Sequence, residues 1–411
     1  MRIAYVCCDP GVPVFGCKGC SIHVQEVLRE FVRRGFQVDL FAVRVGGEPP
    51  EELSGVRLHT IEVPKANNAA QRGRLMIAAN ADVKEMLSSN GPFDLVYERY
   101  ALHAYAAMEY ARNLQIPGIL EVNSPLIAEQ ARYRTLTDFD LAEQTTRRAM
   151  ISAGAIVAVS PRVADYAWQQ RLSSTDIHVL PNGVDTQRFR GADESTFPRK
   201  QGEFTVGFVG TLKPWHGVEN LIEAFGLLAV DGIAMRLAIV GNGPERERLE
   251  YQASCLPHEA PHRVHFLGAV NPSEIPSLLA SMDVAVAPYL PQEDFYFSPL
   301  KIFEYMAAGL PTVASRLGQI PELLQDDETG LLYPPGDTHA LTDALQALCQ
   351  HPSLCSRLGQ AARKTAVRRF TWESVVTQIL EISGSLRRKQ PAIPKPHLHF
   401  HESQQVKNPT Y

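Results

Sequence analysis

Short apolar runs alternate with amphipathic helical stretches along most of the chain, and the alternation occurs twice. The first half carries "RIAYVCC", "VDLFAV", "DLVYERY", "GILEVN" and "AIVAVS"; the second carries "FTVGFVG", "LAIVG", "VHFLG", "VAVAPY", "PTVAS" and "GLLYP". Runs without polar alternation suit strands buried on both faces of a parallel sheet. Helical stretches lie between them. In "IHVQEVLREFVRRG", Val24, Val27, Leu28, Phe31 and Val32 share one face and Gly35 marks the stop. Alternation of this kind implies parallel sheets with right-handed crossovers. Two such runs of roughly 180 residues each predict an α/β chain of two doubly wound, Rossmann-like domains. The boundary is expected between Asn182 and Glu203, a stretch rich in polar residues, Gly and Pro.

Bulk properties exclude several classes. The 411 residues have a net charge of -5, so no global basic field points to nucleic acid. No run of about 18 apolar residues is long enough to span a membrane. "MRIAYVCCDPG" reads as a strand start rather than a signal peptide, so a cytoplasmic location is expected. Arg72, Arg74 and Lys84 are candidates for weak peripheral contact with a membrane, although a solvated helix face is the plainer reading. The seven cysteines are expected as free thiols. Cys17 and Cys20 form a C-x-x-C near Cys7 and Cys8, but a second clean pair is missing, so small thiols around a tight loop are favoured over zinc. From 389 to 411 the periodicity fades, which predicts a mobile tail; its His397, His399 and His401 read as solvated.

Two helix starts carry basic residues where the helix dipole disfavours them. In "FVGTLKPWHGVENLIEAF", Pro214 suits the first helical position, with Lys213 and His216 flanking it. In "FSPLKIFEYMAAG", Ser298 suits the N-cap and Pro299 the first position, and Lys301 falls in the first turn. A bound dianion would reverse the sign of both placements, because helix amides and lysines together cradle phosphate. Both loops follow strands, at the sheet edge where such folds hold ligands. Lys213 and Lys301 are therefore expected to converge on a diphosphate. Glu304, one turn after Leu300, is placed to accept from ribose hydroxyls, or else simply pairs with Lys301. The Gly241 to Gly243 turn in "IVGNGPERERL" either passes a nucleobase or phosphate or is a sterically tight turn.

The stretches "PNGVDTQRF", "GFVGTLKPWHGVENLIEAF", "IVGNGPERERLE", "VHFLGAV", "PLKIFEYMAAGLPTVAS", "GQIPELLQDDETGLLYPPGD" and "RFTWESV" run in an order that resembles the retaining glycosyltransferases of family 4, with the GT-B fold. The first half matches more loosely, through the strand, the loop and the helix beginning "CSIHV". The resemblance implies an acceptor-binding domain at 1–185 and a nucleotide-sugar domain at 186–370. It implies a helix at 371–388 crossing back to the first domain. It also implies a nucleoside-diphosphate sugar donor, an acceptor glycan, lipid or small molecule, retention of configuration, and no metal or other cofactor. Donor contacts would come from Gly16, Gly19, Gly210, Thr211, Lys213, His216, Gly241, Gly243, Tyr296, Ser298, Leu300, Lys301 and Glu304. Departures are plain. Thr211 stands where the family has Arg, His216 where it has Lys, and Tyr296 where it has the first of two glutamates. Lys213 and Lys301 are then expected to supply the phosphate charge; either Glu293 or Asp294 replaces the missing carboxylate or the donor sugar is an unusual one.

In the first half, "VYERYALH" and "EVNSP" end strands that face the cleft. Arg99, His103 and Asn123 are expected to line the transfer centre, with Glu98 and Glu121 toward the acceptor. The plainer reading of His103 is a helical residue packed beside Tyr100 and Tyr105. No facing carboxylate pair of the retaining-hydrolase type is evident, so front-face transfer is the implied route. "DFD" at 138–140 lies in a polar stretch and is read as incidental. The rival classes are a non-catalytic sugar-nucleotide binder, an epimerase on the same fold, and a dinucleotide-dependent oxidoreductase. "CCDPGVPVFGCKG" lacks the glycine spacing that the oxidoreductase needs.

Overall fold

The computed structural model describes residues 1–133, 135–170, 176–190, 197–230, 232–257 and 259–389. The expected tail at 390–411, with His397, His399 and His401, lies outside the described residues, as does the middle of the expected linker at 191–196.

Two all-parallel sheets form the frame. The first contains β1 (Arg2–Cys7), β2 (Gln37–Ala42), β3 (Arg57–Thr60), β4 (Leu95–Arg99), β5 (Gly118–Val122), β6 (Ala155–Ala158) and β7 (Ile177–Val179), ordered β3-β2-β1-β4-β5-β6-β7. The second contains β8 (Phe204–Val209), β9 (Met235–Val240), β10 (Val264–Gly268), β11 (Val284–Ala287), β12 (Thr312–Ser315) and β13 (Leu331–Tyr333), ordered β10-β9-β8-β11-β12-β13. Both are doubly wound Rossmann-like sheets, as the alternating pattern predicts. Ile3, Ala4, Tyr5 and Val6 of β1 are wholly buried because helices cover both faces, which explains the unbroken apolar run. The sequence reading misses β3 and β7. "RLHT" and "IHV" sit at the two sheet edges and remain partly exposed, so neither needs an apolar run.

Strand order reverses between β1 and β4 in the first sheet and between β8 and β11 in the second. These switch points open crevices at the carboxyl ends of the strands. The loops after β1, β4, β8 and β11 carry most of the residues singled out by sequence.

The helix Trp372–Lys389 returns from the second domain to the first. Trp372, Val376 and Ile379 enter the apolar core beneath β1 and β4. Arg34 donates to the Glu373 carbonyl at 2.7 Å, and Arg387 donates to the Asp94 carbonyl at 2.7 Å. The first domain's core is therefore completed by residues far away in sequence. Ile379 is wholly buried there. Ile379→Ala is expected to destabilise the protein by about 2–5 kcal/mol. Thermal unfolding followed by calorimetry checks this, with the loss seen in the transition of the first domain.

Candidate functional site

At the second switch point, the loops after β8 and β11 touch. Leu290 N–H donates to the Trp215 carbonyl at 3.2 Å, and the His216 and Tyr289 rings meet edge to face at 5.3 Å. The helix starts differ from expectation. Pro214 opens a 3-10 turn, Pro214–His216, and Gly217 turns left-handed before the α-helix Val218–Val230 begins. Lys213 and His216 thus lie on a loop ahead of that helix rather than in its first turn. Ser298 does not cap the helix Leu300–Ala308, whose cap residue is Pro299. Its hydroxyl instead accepts from the Asn182 N–H at 3.1 Å.

Lys301 does sit at the mouth of its helix, but inward. It is 9% exposed, and its Nζ lies 4.1 Å from the Phe208 ring centre and 5.1 Å from that of Tyr289. Nζ has no hydrogen-bond partner among the described residues. A Cβ on Gly210 would lie 2.8 Å from it, so glycine leaves the room the ammonium occupies. Burial pulls Lys301 down from its ordinary value to about 7. His216 donates from Nδ1 to the Thr211 carbonyl. Burial, then the charges of Lys301 and Lys213, depress its imidazole to about 2. Both lysines thus lower the pKa of the same ring. The Lys213 ammonium stands 5.6 Å from the Trp215 ring centre. Thr211 is exposed at the crevice edge.

Glu304 follows one turn on, half-buried and pushed up to about 7 by burial, with Arg188, Lys301 and Glu26 as its charged neighbours. The glycines of the "GNG" turn have a steric cause. A Cβ on Gly241 would lie 1.9 Å from the Gly210 carbonyl oxygen, and one on Gly243 2.3 Å from that of Leu212. Their role in the structure is to let the turn cross the loop after β8.

The first domain meets this site closely. A Cβ on Gly19, which opens the helix Gly19–Arg33, would lie 3.3 Å from Leu300 Cδ1, so two helix N-termini abut. Gly16 closes a tight turn, its N–H donating to the Pro13 carbonyl at 2.8 Å. Tyr296 turns toward the first domain. Its hydroxyl donates to Glu129 at 3.1 Å and its carbonyl accepts from Ser160 Oγ at 2.7 Å. Asp294 pairs with Arg162 at 2.6 Å.

The expected first-domain residues fall into two groups. Register pairs Arg99 with Glu121 and Glu98 with Leu120, so the two glutamates point to opposite faces of the sheet and do not form one acceptor site. Glu121 is 2% exposed; its Oε1 accepts from His23 at 2.5 Å and Tyr97 at 2.8 Å, while Oε2 makes no hydrogen bond among the described residues and lies 3.5 Å from Arg99. Burial alone would raise its pKa, but His23, then Arg99 and Tyr97, outweigh that and hold it below the ordinary value. Glu98 is 1% exposed and burial raises it to about 8. Neither carboxylate is open to a substrate. Asn123 is half-buried at the end of β5, its Oδ1 without a partner among the described residues.

His103 precedes the helix Ala106–Asn113 rather than lying on it, with φ of 70°. The Thr145 hydroxyl donates to the Leu141 carbonyl at 2.8 Å, so at 3.2 Å from His103 Nδ1 it accepts. Burial lowers the His103 pKa, which keeps the ring neutral. It lines a cavity of about 460 Å³ beyond the ends of β1 and β4, with Asp9, Gly73, Arg74, Leu126 and Asp138. Asp138, the first residue of "DFD", also caps the helix Phe139–Ser152. Cys7, Cys8, Cys17 and Cys20 are free thiols, and among the described residues no group of three or more His, Cys, Asp or Glu is arranged to hold a metal ion. No helix among them is long and apolar enough to cross a membrane.

The family description "Glycosyltransferase Family 4" matches residues 18–188, and "Glycosyl transferases group 1" matches residues 203–351. Phosphatidyl-myo-inositol mannosyltransferase of Mycobacterium tuberculosis is 30% identical over 393 residues, covering 93% of this chain and 96% of that protein. The chain belongs to the family 4 glycosyltransferases. Its fold is GT-B. Sucrose-phosphate synthase from Thermosynechococcus elongatus superposes with a TM-score of 0.72 at 20% identity, covering 95% of this chain and 100% of the other. Anabaena HepE in complex with UDP gives 0.69 at 20% identity, covering 94% and 100%.

Sequence reasoning missed His23, Asn182 and Arg188. His23 hides on an otherwise ordinary amphipathic helix, and only its position on the buried face could have marked it. For Lys301 the sign of the pH effect follows from its lowered pKa. Between about 7 and its ordinary value the unfolded chain holds a proton that the folded chain lacks, so stability rises with pH there. Below 7 the buried ammonium is most destabilising. Lys301→Met is accordingly expected to raise the melting temperature clearly at pH 6 and much less at pH 9.5, as read by differential scanning fluorimetry.

Proposed function

We propose that this glycosyltransferase takes its sugar from a nucleoside diphosphate and passes it, with retention, to an acceptor hydroxyl by front-face attack. The observation that carries the reading is the buried Lys301 side chain at a helix mouth, its Nζ without a hydrogen-bond partner among the described residues. A charge held that way is destabilising until an anion arrives. Glycosyl transfer builds negative charge on the departing diphosphate while the sugar turns oxocarbenium-like. Lys301, Lys213 and the first amides of the helix Leu300–Ala308 would meet that charge where it develops. With this charge supplied by the protein, the proposed reaction needs no metal. The acceptor would enter the cavity beside His103, and its hydroxyl proton would leave toward the departing phosphate. Arg99 and Asn123, ending β4 and β5, would flank the transfer centre, and Gly16 and Gly19 would bring backbone close to the donor. Glu304 would accept from the ribose. Domain closure over this centre would exclude water and favour transfer over hydrolysis.

The Mycobacterium tuberculosis relative is a mannosyltransferase acting on phosphatidyl-myo-inositol by name, and HepE is seen with UDP. A nucleoside-diphosphate mannose is therefore the first donor to try and an inositol-bearing lipid the first acceptor. A thermal-shift screen against UDP-, GDP-, ADP- and dTDP-sugars tests the donor. One base should stand out, because specific binding at 100-fold excess over Kd adds about 2.7 kcal/mol of stability. Equal, negligible shifts for all four would oppose the reading.

A further inference from the structure

We propose that His23 is a positioning residue that fixes the mouth of the donor helix, Ser298 to Lys301, to the first-domain sheet. The inference rests on reading that mouth as the diphosphate cradle.

A single hydrogen-bonded chain crosses the domain interface. Asn182 donates from Nδ2 to the Ser298 carbonyl at 2.6 Å, and its own N–H donates to the Ser298 hydroxyl. That orientation leaves Asn182 Oδ1 as an acceptor, 2.8 Å from His23 Nδ1. His23 Nε2 faces Glu121 Oε1 at 2.5 Å. Glu121 also accepts from Tyr97 and sits 3.5 Å from Arg99. Both nitrogens of the His23 ring thus have a buried polar partner. Trp372 closes over the ring edge to face, at 4.9 Å. His23 is 4% exposed, Glu121 2%, Asn182 9% and Ser298 8%. A buried chain of this kind holds its members in register, because breaking one link strands donors and acceptors away from water.

The consequence is directional. Ser298 precedes Pro299 and the helix carrying Lys301, so where Asn182 holds Ser298 sets where the helix mouth stands. At the other end, Glu121 forms an ion pair at 3.5 Å with Arg99, which ends β4. His23 therefore spaces the proposed transfer centre against the proposed phosphate cradle without touching either substrate. A helix residue placed for packing alone would need no polar partners at both ring nitrogens.

Hydrogen–deuterium exchange on the unliganded full-length chain tests this without any ligand, so its outcome is separate from whether the donor is a nucleotide sugar. His23→Phe keeps a ring against Trp372 but removes both ring nitrogens. Asn182→Asp keeps the acceptor for His23 and removes the donor to Ser298. In both variants the peptide spanning 298–304 is expected to exchange about three- to tenfold faster, while β11 and β12 of the same domain stay unchanged. The two effects should not add in the double variant. Should His23→Phe fail to fold, Asn182→Asp alone decides. Faster exchange confined to residues 19–33, or no change at 298–304 in Asn182→Asp, would overturn the proposal.

Discussion

A lysine ammonium buried against two aromatic rings, its Nζ without a hydrogen-bond partner among the described residues, organises the site in the second half of this molecule. Transferring such a charge out of water is costly, and the fold tolerates it by several local choices. Gly210 makes room for it, Phe208 and Tyr289 offer their ring faces, and Tyr305 fixes its helix by accepting from the Val209 N–H at 2.9 Å. The neighbouring His216 is kept neutral, so it adds no further positive charge to the crevice. The buried charge is electrostatically costly in the isolated protein, and the proposed phosphate would relieve that cost. Stability given up at a binding site is a familiar signature of function.

The first domain shapes this crevice as much as the second does. Gly19 meets Leu300, Glu129 takes the Tyr296 hydroxyl, and Ser160 takes the Tyr296 carbonyl. The Tyr296 side chain and carbonyl join the domains on the loop that leads into the helix Leu300–Ala308. The returning helix Trp372–Lys389 adds a second tie, since its apolar face belongs to the first domain's core.

Much of the fold was legible because parallel strands buried on two faces must be apolar throughout. The edge strands β3 and β7 escaped for the converse reason. The position of Lys301 was readable from its Pro-initiated helix, but its inward turn was not, since nothing local distinguishes a lysine reaching water from one folded under a ring. Pro214 misled, because proline starts a 3-10 turn as readily as an α-helix and Gly217 intervenes. Glu98 and Glu121 looked alike in sequence. Their burial on opposite faces follows from strand register, a non-local property. His23 and Asn182, which are 159 positions apart, become partners only in the folded chain.

Calorimetry of nucleoside diphosphate binding, run at pH 8 in two buffers of different ionisation enthalpy, tests the central claim most directly. With Lys301 near 7 when unliganded, binding should draw up to about one proton from the buffer as the phosphate restores the ammonium, and Lys301→Arg, which cannot titrate, should abolish that uptake. Binding with no proton uptake in the wild type, or with the same uptake in Lys301→Arg, would contradict it.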